Sequence, residues 1–251
     1  MAAPCAPWHC VRGPVRIGVR GRPLNRIVRL HMERSAASAI VLDMDGVLLR
    51  TNDAKYRAML GLFERHPEKT TAISQFILRS GGVPRAEKLK YILESIVGII
   101  PSEGIVDEYL VKYQHTLEGA LSAASLVSGV KDFLSACECP LYLCSSAPAE
   151  EVARQLSARH LQGYFAEVFD GRTPKDTALK HIAHRHGNTG IVFFGDSLGD
   201  LAAAQSAGVP FVAVIAEWDN FVERTVVKLR DFSDRDTIKR CISEAAQAYA
   251  I

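Results

Sequence analysis

Short, almost wholly apolar runs rich in β-branched and aromatic residues recur along this chain: AIVLDM (39–44), LYLCS (141–145), EVFD (167–170), IVFFGD (191–196) and FVAVIA (211–216). Runs that do not alternate with polar residues suit strands buried on both faces. The last four are separated by helix-like stretches, AEEVARQLSARH, KDTALKHIAHRHG and LGDLAAAQSAG. Apolar strands alternating with helices build βαβ units, so the pattern predicts an α/β fold with a Rossmann-like parallel sheet covered on both faces. Gly208 stands where the last of these helices is expected to stop, just before the final run.

One interval breaks the alternation. Between about 51 and 127 there is no strand pattern, only apolar residues at helical spacing: Tyr56, Met59, Leu60 and Phe63; Leu89, Ile92, Leu93 and Ile96; Val106, Leu110, Tyr113 and Leu117. RSGGVPRAEK (79–88) is the clearest break among these helices. The expected organisation is therefore a core formed by 36–50 and 128–251, a helical module over 51–127 inserted after the first strand, and a separate extension over 1–35.

The extension differs from the rest in charge. Residues 1–34 hold seven arginines and one acid, Glu33, so the overall net charge of +2 conceals a basic start and a remainder net negative by four. An Arg-rich, acid-poor segment has three readings: a mitochondrial-type targeting sequence, a basic arm, or an extension ahead of a working start at Met32. Elsewhere no uncharged apolar run reaches the roughly 18 residues of a membrane span. No nucleic-acid motif is present. The six cysteines are scattered in the manner of reduced thiols, with Cys137 and Cys139 forming a solitary C-x-C. The expectation is a cytoplasmic monomer or homodimer, or an organellar protein if the basic start is a targeting segment.

The chemistry gathers at the strand ends. The first strand runs out into Asp43 and Asp45, two positions apart and so facing the same way, with Gly46 permitting a tight turn behind them. In an open parallel sheet, ligands bind beyond the carboxyl ends of the strands. The second run ends in Ser145-Ser146, ahead of Pro148 and the acids of a helix start, a setting that suits an anion. The fourth ends in GDSLGD with Asp196 and Asp200, and RTPKD places Lys175 near a helix start. Carboxylates this crowded need compensation. A hard dication held by oxygens supplies it, and Mg²⁺ is the usual choice where the substrate brings phosphate oxygens. A carboxylate can also act as nucleophile in phosphoryl transfer, with its neighbour as general acid and then base.

D-x-D-G-V (43–47), the hydroxyl-ended strand at 145, the lysine at 175 and G-D-S-x-x-D (195–200) resemble, in order, the four motifs of the haloacid dehalogenase-like superfamily. The resemblance covers about 38 to 216 and implies a Rossmann-like core with an inserted α-helical cap, since the 21 residues from Lys175 to Asp196 leave no room for the alternative cap position. GGVPRAEKLKYIL resembles the cap loop of the β-phosphoglucomutase and phosphoglycolate phosphatase branch. By that resemblance Asp43 attacks phosphorus and Asp45 protonates the leaving oxygen, then activates water. Asp43, Asp196 and the carbonyl of Asp45 hold Mg²⁺, with Asp200 in support. Ser145 and the amide of Ser146 bind the phosphoryl oxygens, Lys175 offsets their charge, and Arg85 and Lys88 reach the substrate from the cap.

The function so implied is a Mg²⁺-dependent phosphatase acting on a small phosphorylated metabolite such as a sugar phosphate, with no nucleic-acid or membrane partner. A phosphomutase built from the same parts and a non-catalytic binding module are the alternatives. Asp45 argues against a 2-haloacid dehalogenase, and Lys88 and Lys90 fit a Schiff-base phosphonate hydrolase poorly. Simpler roles also stand: Ser145 as a cap, Lys175 as a surface lysine, Asp200 in a helix-surface pair, and Arg85 and Lys88 on a solvated loop or first helical turn. His181, His184 and His186 read as a helix end rather than a metal site, and Cys144 as a packed strand residue.

Overall fold

The computed structural model of the chain describes residues 37–188 and 190–249, so the basic extension expected over 1–35 lies outside the described residues. Five of the strands are the predicted ones: β1 (Ala39–Leu42), β2 (Leu141–Cys144), β3 (Phe165–Phe169), β4 (Ile191–Gly195) and β5 (Phe211–Val214). A sixth, β6 (Val227–Leu229), pairs with β5, and all neighbours run parallel in the order β3-β2-β1-β4-β5-β6. The chain order reverses direction between β1 and β4, and the crevice beyond their carboxyl ends is where such sheets bind ligands.

Every residue of β1, β2, β4 and β5 is buried, as continuous apolar runs require. Alternation splits them between two cores. Ile40, Leu42, Leu143 and Phe194 face α5 (Val130–Ala136), α6 (Ala149–Ala158) and α9 (Arg235–Tyr249). Ala39, Val41, Cys144 and Phe193 face α7 (Lys175–Arg185) and α8 (Leu198–Ala207) on the other side. Each fully buried Leu, Ile or Phe contributes about 1.5–3 kcal/mol. The last of these helices stops at Gly208 in the left-handed conformation, φ 69°, as its position predicts.

Residues 52–123 contain helices and no strand: α1 (Asn52–Gly61), a short 3-10 turn (Pro67–Lys69) leading into α2 (Thr70–Arg79), α3 (Arg85–Tyr91), which continues into a wider π-helical turn over Ile92–Val97, and α4 (Glu103–Ala123). All twelve residues singled out for helical spacing lie in one apolar cluster belonging to these helices. α2 was not singled out from the sequence, and the break expected over 79–88 narrows to 80–84, so Arg85 and Lys88 are helical. No helix among the described residues is long and apolar enough to cross a membrane.

The carboxyl end of α4, where the chain returns to the sheet, is held by Arg159. Its guanidinium donates to the carbonyls of Leu121 at 2.8 Å and Ala124 at 2.5 Å while also binding the Gln155 side chain at 2.6 Å. One prong of the planar fork, Nη2, donates to both carbonyls while the other, Nη1, is fixed by Gln155. Arg159→Ala is expected to lower stability by about 1–2 kcal/mol, seen as a drop of a few degrees in thermal denaturation. Arg159→Lys should recover only part of the loss, and full recovery would sink the idea that the fork geometry matters.

Candidate active site

Beyond the ends of β1 and β4 lies a cleft whose floor carries Asp43, Asp45, Asp196 and Lys175, with Ser146 and Ala147 at one side and residues of α1, α3 and α4 above. Asp43 follows β1 directly and is tied to β4 by its backbone N–H, which donates to the Phe194 carbonyl at 2.9 Å. Gly46 then turns the chain with φ +75°, and a Cβ there would collide with the Asp196 carboxylate and the Asn52 amide. A larger residue would thus fill the space in which the acids meet.

Lys175 opens α7 after Pro174. It is not the surface residue of the simpler reading: its ammonium sits between Asp43 at 2.9 Å and Asp200 at 2.5 Å. Burial lowers its affinity for a proton, but the two carboxylates outweigh this and hold it firmly charged. Asp200 is not a surface residue either. It is fully buried, and its other oxygen accepts from the Ser197 hydroxyl at 2.7 Å and from the amides of Ser197 and Asp196. With the Ser197 hydroxyl accepting from the Asp200 amide, the pair caps α8 reciprocally.

Asp43, Asp196 and Asp200 present oxygens that all lie within 4.8 Å of one another. Burial, with Asp200 and Asp45 adding to it, overcomes the help of Lys175 and pushes Asp43 up to about 7. Asp196 is raised well above the carboxylate range by burial, then by Asp200 and Asp43, although the Asn52 amide donates to it at 2.5 Å. One ammonium against three buried carboxylates leaves uncompensated negative charge among hard oxygen donors, and that donor set fits a divalent cation such as Mg²⁺.

Asp45 has different surroundings. Burial opposes its charge, but the Lys55 ammonium at 2.5 Å and the Thr51 hydroxyl at 2.7 Å prevail and hold its carboxyl below the usual range. Lys55 also approaches Glu151 of α6 at 3.5 Å. The same Glu151 oxygen binds Arg85 at 2.6 Å, while its second oxygen is buried without a partner. Arg85 lies over the Tyr113 ring and reaches Gln114 of α4. The Lys88 ammonium enters the cleft with no hydrogen bond or ion pair to any described residue. Burial, reinforced by Lys55 and Arg85, lowers it to about 8.

Of the residues named from sequence, Asp43, Asp45, Ser146, Lys175, Asp196, Arg85 and Lys88 therefore line one cleft. Asp200 lies behind it. Ser145 is buried and its hydroxyl accepts from the Ala147 amide at 3.1 Å, so its side chain caps the turn. The sequence reading missed Asn52, Lys55, Glu151, Trp218 and Asn220. The last two come from the β5–β6 connection, Trp218 edge-on to Tyr56 and Asn220 donating to the Asp196 carbonyl. Gly81 and Gly82 lie against Ser197 and Gly199 so closely that a Cβ on Gly81 would reach 2.7 Å from Ser197. This explains the paired glycines of the cap-like loop. Two of the three histidines of the helix end are engaged elsewhere, His186 with the Tyr142 hydroxyl and His181 with Arg185.

Residues 40–214 match the family model described as haloacid dehalogenase-like hydrolase. No curated protein matches the chain in sequence. Among solved structures, a predicted phosphoglycolate phosphatase from Haemophilus somnus 129PT is 18% identical, covering 82% of this chain and 99% of its own, with a TM-score of 0.65. CbbY from Rhodobacter sphaeroides, solved with phosphate, is 18% identical over 79% of this chain and 96% of its own, TM-score 0.58. The magnesium-bound hydrolase YfnB from Bacillus subtilis is 16% identical over 82% and 99%, TM-score 0.58. At these identities the likeness speaks to fold.

Proposed function

The chain belongs to the haloacid dehalogenase-like hydrolase family, and on that premise we propose that it is a Mg²⁺-dependent phosphatase of a small phosphorylated metabolite, working through an aspartyl-phosphate on Asp43. The observation that carries the reading is the pairing of two carboxylates two residues apart in opposite electrostatic states. Asp43 is held by Lys175 in an acidic, buried cluster, while Asp45 is held ionised by Lys55 and Thr51. Without a cation the separation leaves Asp45 the more readily ionised of the two, so the nucleophilic role of Asp43 rests on a cation beside it that would hold its carboxylate charged, while Asp45 has the environment of a base.

The Asp43 carboxylate attacks phosphorus, and the bond to the leaving oxygen breaks as Asp45 delivers a proton to it. Water then attacks the aspartyl-phosphate, with Asp45 taking its proton, and Asp43 and inorganic phosphate are regenerated. The charged Asp45 of this arrangement is the state suited to the second half; for the first, it exchanges Lys55 for a proton. The Ser146 amide and Lys175 orient the phosphoryl oxygens, and Arg85 and Lys88 bind the remainder of the substrate from the helices acting as a cap. Asp43, Asp196 and the Asp45 carbonyl, with Asp200 in support, would hold Mg²⁺, which supplies charge neutralisation for the phosphoryl group. The helices over 52–123 and the Gly81-Gly82 loop exclude water from the cleft.

The test is phosphate release from a panel of phosphorylated metabolites with Mg²⁺ and with EDTA, beside the Asp43→Asn control. Release that needs both the cation and Asp43 supports the reading. Transfer between positions of a sugar without release to water would replace it by a phosphomutase, and neither by a binding module.

Cation binding also has a thermal signature. With the cation removed, Asp43 at about 7 and Asp196 raised bind protons more tightly than in the unfolded chain, whose value is near 3.8. Stability in EDTA therefore falls as pH rises from about 4 to about 7. A cation competes with those protons, so Mg²⁺ should raise Tm more at pH 8 than at pH 5. At a hundredfold excess over Kd the gain is about 2.7 kcal/mol, roughly 5–10 °C for a chain of this size. Equal shifts at both pH values, measured by calorimetry, would count against a site built from these acids.

A further inference from the structure

At the amino-terminal end of β2, away from the cleft, α5 ends at Cys137 and a single exposed residue, Glu138, separates it from Cys139. The two half-buried thiols face each other with their sulfurs 3.3 Å apart, and the Cys137 thiol also points at the Cys139 carbonyl at 3.7 Å. We propose that Cys137 and Cys139 are a redox modification site: a dithiol that is converted reversibly to an intramolecular disulfide by small-molecule disulfides of the glutathione type.

The remaining described cysteines form an internal contrast. Cys144, on β2, is 1% exposed, Cys241, on α9, is 3% exposed, and burial raises both thiols. The hydrogen bond from Cys139 lowers Cys137, with burial opposing. A thiolate is the attacking species in exchange, so Cys137 is the favoured entry point. Its sulfur attacks one sulfur of the oxidant, the oxidant's S–S bond breaks, and one small thiol leaves as the mixed disulfide forms. Cys139, its proton given to solvent, then attacks the Cys137 sulfur and expels the second small thiol. Two S–H groups are lost, one S–S bond is made and two molecules of small thiol appear. A ring closed over three residues constrains the unfolded chain little, and disulfide stabilisation grows with loop length. The bridge is therefore easily reduced and acts as a responsive site rather than a staple.

The test uses the full chain equilibrated in buffers of varied reduced and oxidised glutathione, quenched in acid, alkylated and digested with trypsin. The expected product is the peptide 132–154, which carries Cys137, Cys139 and Cys144, lighter by two hydrogens and alkylated at Cys144 alone. Reduced glutathione in excess should restore three alkylated cysteines. Cys139→Ser should leave Cys137 trapped as the mixed disulfide, a readout that does not depend on ring closure. Mixed disulfides that persist on both wild-type cysteines without closing, or a bridge from either to Cys5, Cys10, Cys144 or Cys241, would overturn the proposal.

Discussion

Asp43→Asn is expected to abolish phosphate release, by on the order of 10³-fold or more, while leaving the protein folded. The amide keeps the shape and can still pair with its neighbours, but it lacks the charged oxygen that makes the aspartyl-phosphate. Stability should not suffer. Asp43 pays for its charge at this position: burial and the nearby Asp200 and Asp45 push its carboxyl up to about 7. A neutral side chain removes that repulsion, so Tm in EDTA should stay level or rise near neutral pH. Release of phosphate at more than about a tenth of the wild-type rate would refute a covalent role for Asp43, and a large fall in Tm would show that the loss of activity is only unfolding.

Lys175→Met is expected to have the opposite balance, with a large effect on folding as well as on activity. Among the described residues, Lys175 is the cation that contacts both Asp43 and Asp200, and its side chain is 10% exposed. Removing one partner of a buried ion pair leaves uncompensated charge and costs about 3–5 kcal/mol, roughly 6–20 °C in Tm for a chain of this length. The raised proton affinity of Lys175 in the folded state means that its contribution is fully present below the unfolded value near 10.5, so the loss should be visible across the neutral range. Mg²⁺ should restore part of it, because a dication offsets the same carboxylates. A Tm within about 2 °C of wild type would place the compensation of this cluster elsewhere.

Much of the core was legible along the chain because its strands are buried on both faces, which leaves continuous apolar runs, and because the acids, the lysine and the serines stand at the strand ends. The twelve residues at helical spacing likewise announced the helices over 52–123. β6 and α2 are the exceptions. β6 is three residues long and only Leu229 of it is buried, so Val227–Leu229 carries no run. α2 carries Ile73, Phe76 and Ile77 of TTAISQFILR at i, i+3, i+4, a helical spacing that was present in the sequence and was passed over. Ser145 stands at a strand end as read from sequence, and the structure adds that its hydroxyl accepts from the Ala147 amide, which leaves its O–H to donate.

The cationic side of the cleft was the least legible part. The loop resemblance pointed to Arg85 and Lys88, but Lys55 and Glu151 are ordinary charged residues in helical stretches that no spacing marks, since the Arg85–Glu151 pair joins positions 66 apart and the Asn52–Asp196 pair positions 144 apart. Periodicity and motif order, which act over one or two turns of chain, determined the parallel sheet, the helical insertion and the acids at the strand ends. Only the folding of the helices over the sheet decided which charges face one another, because burial and a partner a few ångströms away, not position in the chain, set the state of Asp43, Asp45 and Lys88.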